Sequence, residues 1–420
     1  MPMPEVGRRA VLGGAAATVA LQMTGVAGAA AQSVAAGNEG ILPPRITPAE
    51  RLQRIGRAQQ LMQQHGLGAV LVEAGPSLDY FTGVRWWRSE RLTGVVIPAA
   101  GEPIIVTPFF EKPSVEETLA VPAEVRTWNE DDEPLKLVAD FLRERGVAQA
   151  RVGFEETNRY FLADRLQQQL PKVRIVSANP VVRHLRMHKS PTELALMQHA
   201  ANLTRDALRQ THAEVREGMT NEAIGQLFER HVAALGGEAP WSLVLVDEAA
   251  ALPHGSGKPQ QVKRGSIVLM DCGCGFRGYQ ADISRTFVWG ATPTPLQRKV
   301  WEQVRRGQDI AFATAKLGAS AGSVDDAVRR AYQSWGYGPG YKLPGLSHRT
   351  GHGIGMEGHE PVNLVRGEKT PLAPGMCFSN EPGIYLPGQF GVRLEDCFHT
   401  TERGPTWFTR PPPSIDEPFA

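Results

Sequence analysis

The chain has 420 residues, of which 42% are hydrophobic and 21% charged, and its formal net charge is +1. This length and composition are typical of a globular chain with two domains. Because there is neither a basic excess nor an acidic tail, we expect no nucleic-acid partner.

The first 31 residues have the pattern of an export signal. Arg8 and Arg9 precede a weakly apolar run with a small-residue cleavage site at 29–31, which is the order of a secretory signal. The adjacent arginines indicate the twin-arginine type, so we expect export to the periplasm. Residues 32–45 are predicted to be a linker. No later stretch is long and apolar enough to span a bilayer.

Residues 46–183 alternate between helix and strand patterns. One helix with a glycine stop is predicted in "PAERLQRIGRAQQLMQQHGLG", which begins at Pro48, and others near 134–145 and 159–169. Short apolar runs predict strands at "AVLVE", "GVVIP", "EPIIVTP", "RVGFE" and "VRIVSA". This alternation predicts an N-terminal α/β domain with a mixed sheet.

Residues 184–410 are predicted to form an α+β domain, followed by a tail at 411–420. In "KSPTELALMQHA", Ser190 and Glu193 form a capping box, which marks the start of a helix. A second helix is predicted after Thr220. Strands are predicted at "WSLVLV", "SIVLMDCGC" and "GYQADISRTFVW", further helices at 295–317 and 323–335, and strands and turns at 374–401.

Carboxylates lie in or next to apolar strand patterns at four positions: Asp271, Asp282, Glu381 and Glu395. Such carboxylates are costly unless they are paired or bind a cation. Together with the glycine-flanked His352 they form a donor set suited to divalent ions. The glycines between the two aspartates permit a hairpin that would bring both carboxylates to one site. Because five donors exceed the need of one ion, we expect two metal ions.

The ordered motifs "DCGCGFRGYQADISRT", "HRTGHGIGMEGHE", "SNEPGIY" and "GVRLEDC" resemble the pita-bread metallopeptidase family, which includes methionine aminopeptidase, aminopeptidase P, prolidase and creatinase. The resemblance extends from Lys189 to about Thr401 and is strongest to the Xaa-Pro-cleaving branch. It implies a C-terminal pita-bread fold, an N-terminal creatinase/prolidase-like domain, and a homodimer.

The resemblance also implies the metal ligands. His352 would be the metal-bound histidine, and Asp271 would chelate one ion. Asp282 and Glu395 would bridge both ions. Glu381 would bind metal and take the proton from the attacking water.

The resemblance further implies four residues around the metal ions. His359 would donate to the substrate or to the tetrahedral intermediate. His348 would lie in the substrate pocket and His254 near the scissile bond. Arg393 would hold the acidic ligands in place.

The implied activity is the metal-dependent removal of the first residue from Xaa-Pro peptides or dipeptides. One histidine with four carboxylates favours manganese, with cobalt, iron and zinc as alternatives. A metal-dependent lyase, or an amide or amidino hydrolase acting on a small organic substrate, is the alternative on the same fold. The role of Arg85-Trp86-Trp87-Arg88 stays open between a dimer contact, a substrate rim and packing. Trp241 and Tyr385 either line the pocket or belong to the core.

Overall fold

The computed structural model describes residues 42–419, and the chain from Pro43 onward forms one compact unit. The predicted export signal and most of the predicted linker lie outside the described residues. Within the described part, no helix combines the length and the apolar character needed to cross a membrane.

The first half of this unit is a sheet flanked by helices. Its strands are β1 (Ala69–Glu73), β2 (Gly94–Pro98), β3 (Ile104–Pro108), β4 (Glu124–Trp128), β5 (Arg151–Phe154) and β6 (Arg174–Ser177). Its helices are α1 (Pro48–His65), α2 (Pro76–Thr82), α3 (Lys112–Thr118), α4 (Pro134–Glu144), α5 (Tyr160–Gln169) and α6 (Val182–Met187). The strand order is β4-β3-β2-β1-β5-β6. Only β2 runs antiparallel to its neighbours, so the sheet is mixed, as predicted.

Both faces of this sheet are buried. Val70 in β1 packs in the same apolar cluster as Met62 of α1, whereas the next residue, Leu71, packs in the cluster that contains Leu135 of α4. Successive strand residues point to opposite faces, so a strand covered on both sides is apolar throughout. This is why "AVLVE" and "GVVIP" could be recognised from their apolar residues alone.

The predicted helix from Pro48 is α1. The Thr47 side chain accepts a hydrogen bond from the Glu50 amide at 3.1 Å, and Gly66 ends the helix with a φ of 65°. The sequence did not predict α2, α3 and α6, which have seven, seven and six residues. Helices this short show no clear helical period.

The second half contains four helices and three sheets. The helices are α7 (Pro191–Glu214), α8 (Asn221–Ala234), α9 (Pro295–Thr314) and α10 (Ala321–Ser334). The strands are β7 (Glu238–Val246), β8 (Ile267–Phe276), β9 (Tyr279–Val288), β10 (Gly351–Gly353), β11 (Glu360–Leu364), β12 (Cys377–Asn380), β13 (Gly383–Leu386), β14 (Phe390–Arg393), β15 (Asp396–Thr401) and β16 (Gly404–Trp407). The sheets have the orders β7-β8-β9, β11-β10-β12-β15-β16 and β13-β14.

The predicted starts of α7, α8 and α9 are confirmed, whereas α10 begins at Ala321 rather than at residue 323. Ser190 Oγ accepts from the Glu193 amide at 3.3 Å, and the Glu193 carboxylate accepts from the Ser190 amide at 2.8 Å. The start of α8 after Thr220 is also as predicted. Helix α9, however, ends at Thr314 rather than at residue 317, because the backbone leaves the helical conformation at Ala315, where ψ is 55°.

Candidate metal centre

Two of the predicted ligands come from the β8–β9 hairpin. Its turn residues Arg277 and Gly278 have φ values of 50° and 84°, as a two-residue hairpin turn requires. Across the hairpin, Asp271 lies opposite Ser284 and Gly273 lies opposite Asp282. Opposite residues of an antiparallel pair share a face, so both aspartates project from the same side of the hairpin.

The other three predicted ligands come from the neighbouring sheets. His352 lies in the centre of β10, Glu381 follows β12 directly, and Glu395 lies between β14 and β15. The Nε2 atom of His352 is 3.4 Å from Glu381 Oε1, 3.8 Å from Asp282 Oδ2 and 3.9 Å from Glu395 Oε1. Asp271, Asp282 and Glu395 each bring a ligand atom within 4.8 Å of one another. The structure therefore brings all five predicted metal ligands together.

The hydrogen bonds of this cluster indicate that it fits a cation. His352 Nδ1 is 3.0 Å from the Gly353 carbonyl oxygen, which can only accept, so Nδ1 carries the proton and Nε2 has a free lone pair. That lone pair faces carboxylate oxygens, which are also acceptors. In the part of the chain that the structure describes, the buried oxygens Asp282 Oδ1 and Glu395 Oε1 have no hydrogen-bond partner. Divalent cations would satisfy these atoms together.

The electrostatics lead to the same conclusion. Burial, followed by the charges of neighbouring carboxylates, raises the pKa of Asp282 and Glu395 well above their usual ranges. Burial also raises the pKa of Glu381, against the opposing effect of Arg393, to about 7. Burial lowers the pKa of His352, which keeps this imidazole neutral. Neutral imidazole and carboxylates that resist ionisation without a counter-charge are what a cation site requires.

Ser284 and Arg393 hold two of the carboxylates in place through hydrogen bonds and an ion pair. The Ser284 hydroxyl oxygen is 2.8 Å from Asp271 Oδ1 and 2.9 Å from Glu395 Oε2. The buried Arg393 pairs with Asp271 through Nη2 and donates from Nε to Ser284 Oγ at 3.2 Å. Arg393 is among the residues predicted from the sequence, whereas Ser284 is not. Its position two residues after Asp282, on the same face of the strand, was the available signal.

The three remaining histidines differ in what they contact. His348 Nδ1 donates to the Arg349 carbonyl at 2.7 Å and Nε2 accepts from the Tyr385 hydroxyl at 2.7 Å, so both ring nitrogens are engaged. The exposed His359 ring lies 4.2 Å from the His352 ring, centroid to centroid. His254 is exposed in the loop after residues 247–251.

These groups share one cavity of about 820 Å³. Among its lining residues are all five cluster members, the three histidines, Arg393, Arg349 and Trp241. Tyr385 is buried behind His348. Trp86 and Trp87 line a separate cavity of about 500 Å³, which shares Gln280 with the first, and Trp87 is 87% exposed.

Comparison with known proteins identifies both halves of the chain. The sequence model of "Metallopeptidase family M24" matches residues 195–402, and that of the "Creatinase/Prolidase N-terminal domain" matches residues 54–188. These matches confirm the predicted fold, a pita-bread domain after a creatinase/prolidase-like domain.

Individual relatives match over most of their length. The chain is 33% identical over 361 residues to the probable dipeptidase PepE of Mycobacterium tuberculosis, covering 84% of this chain and 92% of that protein. It is 30% identical over 368 residues to the Xaa-Pro dipeptidase of Lactobacillus helveticus, covering 84% and 96%. The crystal structure of dipeptidase PepE from Mycobacterium ulcerans superposes with a TM-score of 0.80 at 31% identity, covering 88% of this chain and 98% of that one. The chain therefore belongs to metallopeptidase family M24.

Proposed function

We propose that this metallopeptidase hydrolyses the bond before proline in Xaa-Pro dipeptides and longer Xaa-Pro peptides, using two divalent cations. The observation that carries the proposal is the convergence of three carboxylates on His352 Nε2, together with the buried oxygens Asp282 Oδ1 and Glu395 Oε1, which have no hydrogen-bond partner among residues 42–419. The Lactobacillus helveticus relative, which is named an Xaa-Pro dipeptidase, supports the substrate class.

The proposed ligands are Asp271, Asp282, His352, Glu381 and Glu395. When bound, two divalent cations would acidify a water molecule and polarise the scissile carbonyl. Four carboxylates and one imidazole are mainly hard oxygen donors, so we propose manganese, with cobalt, iron and zinc as alternatives.

Glu381 is the proposed proton carrier. Its carboxylate takes a proton from the attacking water and delivers it to the proline nitrogen of the leaving group. A carboxyl whose pKa is raised to about 7 in the metal-free protein loses and regains a proton more readily than an exposed glutamate near neutral pH. Bound cations would lower this pKa, so Glu381 would act as the base in its ionised form.

Exposed imidazoles at the cavity would act on the substrate. The ring of His359 packs edge-to-face against the ring of His352. His359 would donate a hydrogen bond to the oxygen of the scissile carbonyl as negative charge develops there. His254 would contact the substrate near the scissile bond. His348 is engaged at both ring nitrogens, so we propose that it acts by orienting Tyr385, whose hydroxyl also accepts from Arg393 at 3.2 Å.

Two further parts of the proposal concern the whole protein. We propose a homodimer, which sedimentation equilibrium of the purified protein would test. We also propose twin-arginine export, in which the protein folds and takes up its metal before crossing the membrane. A lower manganese content in protein trapped before export than in exported protein would contradict that order.

The activity test uses metal-stripped protein with manganese added back. We expect hydrolysis of Ala-Pro and of Ala-Pro-Ala, no activity without metal, and a loss of more than about a thousandfold in kcat for Glu381→Gln. The exposed Glu402 follows β15 outside the cavity, so Glu402→Gln is the matched control and should keep full activity. Failure on both substrates with metal bound would show that the proposed specificity is wrong.

A further inference from the structure

Arg285 is a buried arginine on the reverse side of the metal cluster. It lies in β9, one residue after Ser284 and three residues after Asp282. Successive strand residues point to opposite faces, so the Arg285 side chain points away from the face that carries these two residues. Its side chain is only 2% exposed, and it does not line the catalytic cavity. Any effect of Arg285 on the site must therefore act through other residues.

Arg285 lies where two sheets of the second half meet. Two backbone hydrogen bonds join β9 to the residue that precedes β15. The Glu395 amide donates to the Ser284 carbonyl at 3.1 Å, and the Ser284 amide donates to the Glu395 carbonyl at 3.3 Å. Asp282 lies on one side of this junction and Glu395 on the other, so the spacing of their carboxylates depends on how firmly the junction is held.

The Arg285 guanidinium bonds to both sides of the junction. Its Nη1 donates to the Ser284 carbonyl at 3.0 Å and to the Glu395 carbonyl at 2.9 Å. It also pairs with Asp396, the residue after Glu395, because Nη1 lies 3.2 Å from Asp396 Oδ2 and Nη2 lies 2.8 Å from Asp396 Oδ1. One side chain thus connects the two backbone segments at the point where they supply Ser284 and Glu395.

Asp396, the partner of Arg285, is fixed by two further contacts. Its Oδ1 accepts from the Thr409 hydroxyl at 2.8 Å, and its Oδ2 accepts from Gln308 Nε2 of α9 at 3.3 Å. Apolar residues in place of a buried ion pair are often as stable or more stable, so stability alone does not explain a charged pair here. Geometry does, because a planar guanidinium bonds in fixed directions whereas an ammonium group is a point charge.

We propose that Arg285 is a positioning residue for the metal centre, and that its clamp on the Ser284–Glu395 junction sets the separation of the Asp282 and Glu395 carboxylates. This role rests on the proposed dinuclear metal site. Groups that form such a site must be held to within about 0.5 Å of the required geometry, and these two carboxylates come from segments that meet at the junction. Arg285 fulfils this role without touching metal or substrate.

The test is manganese binding by Arg285→Lys, measured by calorimetric titration of metal-stripped protein. Lysine keeps the charge but cannot bond to both carbonyls and to Asp396 in fixed directions, so we expect manganese affinity to fall about 10- to 100-fold. With two manganese ions added per chain, electron paramagnetic resonance should show magnetically coupled pairs in the wild type and a larger share of uncoupled ions in the variant. A residue that only stabilised the fold would leave this spectrum unchanged.

The control is Arg51→Lys in α1. Arg51 likewise bonds to the carboxylate and the backbone carbonyl of one aspartate, Asp79, and its side chain is 10% exposed, but it lies in the first half of the chain. We expect a comparable loss of stability in urea, with manganese affinity and the spectrum unchanged. Wild-type manganese binding in a folded Arg285→Lys protein would overturn the inference, and so would an equal loss of manganese affinity in both variants.

Thr409→Val is a milder variant that provides the test if Arg285→Lys does not fold. It removes only the hydroxyl that bonds to Asp396, so we expect manganese binding to weaken about 2- to 5-fold. Unchanged binding in this variant would then overturn the inference. If the wild type binds no pair of manganese ions, the proposed metal site itself is wrong and this role falls with it. A wild type that binds the pair but cleaves no Xaa-Pro substrate would refute the proposed specificity alone.

Discussion

At the scale of single residues, Ser284 faces more hydrogen-bond acceptors than its single hydroxyl proton can satisfy. Its hydroxyl carries one proton, yet its oxygen lies 2.8 Å from Asp271 Oδ1 and 2.9 Å from Glu395 Oε2. Arg393 Nε donates to the same oxygen at 3.2 Å. One carboxylate therefore receives the proton while the other meets a lone pair. Cations drawing electron density from both carboxylates would relieve this conflict, so Ser284 should matter most when metal is bound.

Replacing Ser284 with alanine should weaken metal binding. The change removes the hydroxyl that orients Asp271 and Glu395 and leaves Arg393 Nε without its partner, so we expect a loss of about 10- to 100-fold in manganese affinity. Calorimetric titration of metal-stripped protein measures this directly. Ser323→Ala is the matched control, because the hydroxyl of Ser323 in α10 donates to the Ser320 carbonyl just before the helix at 2.6 Å, away from the cavity. Unchanged affinity in Ser284→Ala would contradict the supporting role.

The raised pKa of Glu381 predicts how the metal-free protein responds to pH. Its pKa is about 7 in the folded protein and about 4.3 in the unfolded chain, so the protonated form stabilises the fold. That contribution is fully present below the unfolded pKa and is lost as the pH rises through about 7. We expect the Tm of metal-stripped protein to fall between about pH 5 and pH 8, and manganese to suppress the fall. A Tm that rises over this interval without metal would contradict the assignment.

At the scale of elements, the hairpin β8–β9 depends on the absence of a side chain at Gly273. A Cβ atom at this position would lie 2.2 Å from the Ala281 carbonyl oxygen and 2.5 Å from Trp241 Nε1. Gly273 is also the residue opposite Asp282. The close approach of Trp241 and of β9 therefore sets where one of the ligand carboxylates lies.

Gly273→Ala should destabilise the fold and disturb the site together. Relieving the contact requires the backbone of β9 or the Trp241 ring to move, so we expect a loss of about 1–3 kcal/mol in the free energy of unfolding and weaker manganese binding. Urea unfolding and metal titration measure the two effects. In Gly56→Ala, a control within α1, the new Cβ would meet nothing within 4 Å, and stability should be kept or increased. A Gly273→Ala protein as stable as the wild type would contradict the packing argument.

The elements that could be predicted from the sequence were predictable for one physical reason. The capping box at Ser190, the glycine after α1 and the apolar strands of the first sheet are local signals, and each is visible within a few residues. The three-residue strand β10, which carries His352, has no such signal. It is a strand because β11 and β12 pair with it on either side, a long-range effect that its own residues do not encode.

The residues of the candidate site also divide into those that the sequence reveals and those that only the folded structure reveals. The metal ligands could be proposed because carboxylates are rare in apolar strands and because the motifs resemble a known family. Ser284 could not, because a serine in a strand is ordinary in isolation. Its importance depends on contacts with Asp271, Glu395 and Arg393 that only the folded chain defines.

At the scale of the whole molecule, buried ion pairs join the two halves of the compact unit. Glu360, at the start of β11, pairs with Arg186 of α6 and with Lys189 Nζ at 3.0 Å. In α1, Arg54 lies 3.5 Å from Glu193 and 3.4 Å from the Tyr279 hydroxyl. These contacts connect the creatinase-like region to strands and helices that hold the catalytic cavity. Relative motion of the two halves would break these ion pairs and leave buried charges without partners, so the halves should unfold together.

Glu360→Gln tests this coupling. The change leaves Arg186 and Lys189 buried next to a neutral amide, and breaking a buried pair in this way costs about 3–5 kcal/mol. Burial acts against ionisation of Glu360, but the charges of Arg186 and Lys189 prevail and lower its pKa to about 2. The pair therefore contributes its full stability at neutral pH, and this stability is lost progressively as the pH falls from the unfolded pKa of about 4.3 through about 2. Urea unfolding at pH 7, followed through tryptophan fluorescence and circular dichroism, should show the loss with both signals still coincident.

The control for this prediction is an ion pair that is exposed. Asp416 pairs with Arg298 at a surface where the two side chains are 50% and 36% exposed, so Asp416→Asn should change the unfolding midpoint by no measurable amount. If Glu360→Gln behaves like this control, the buried pairs do not hold the two halves together. If the two signals separate in Glu360→Gln but coincide in the wild type, the halves unfold independently once the pair is broken, which assigns the coupling to Glu360 itself. Since the cavity is lined only by residues from Trp241 onward, metal binding in that variant should persist even where its stability is reduced.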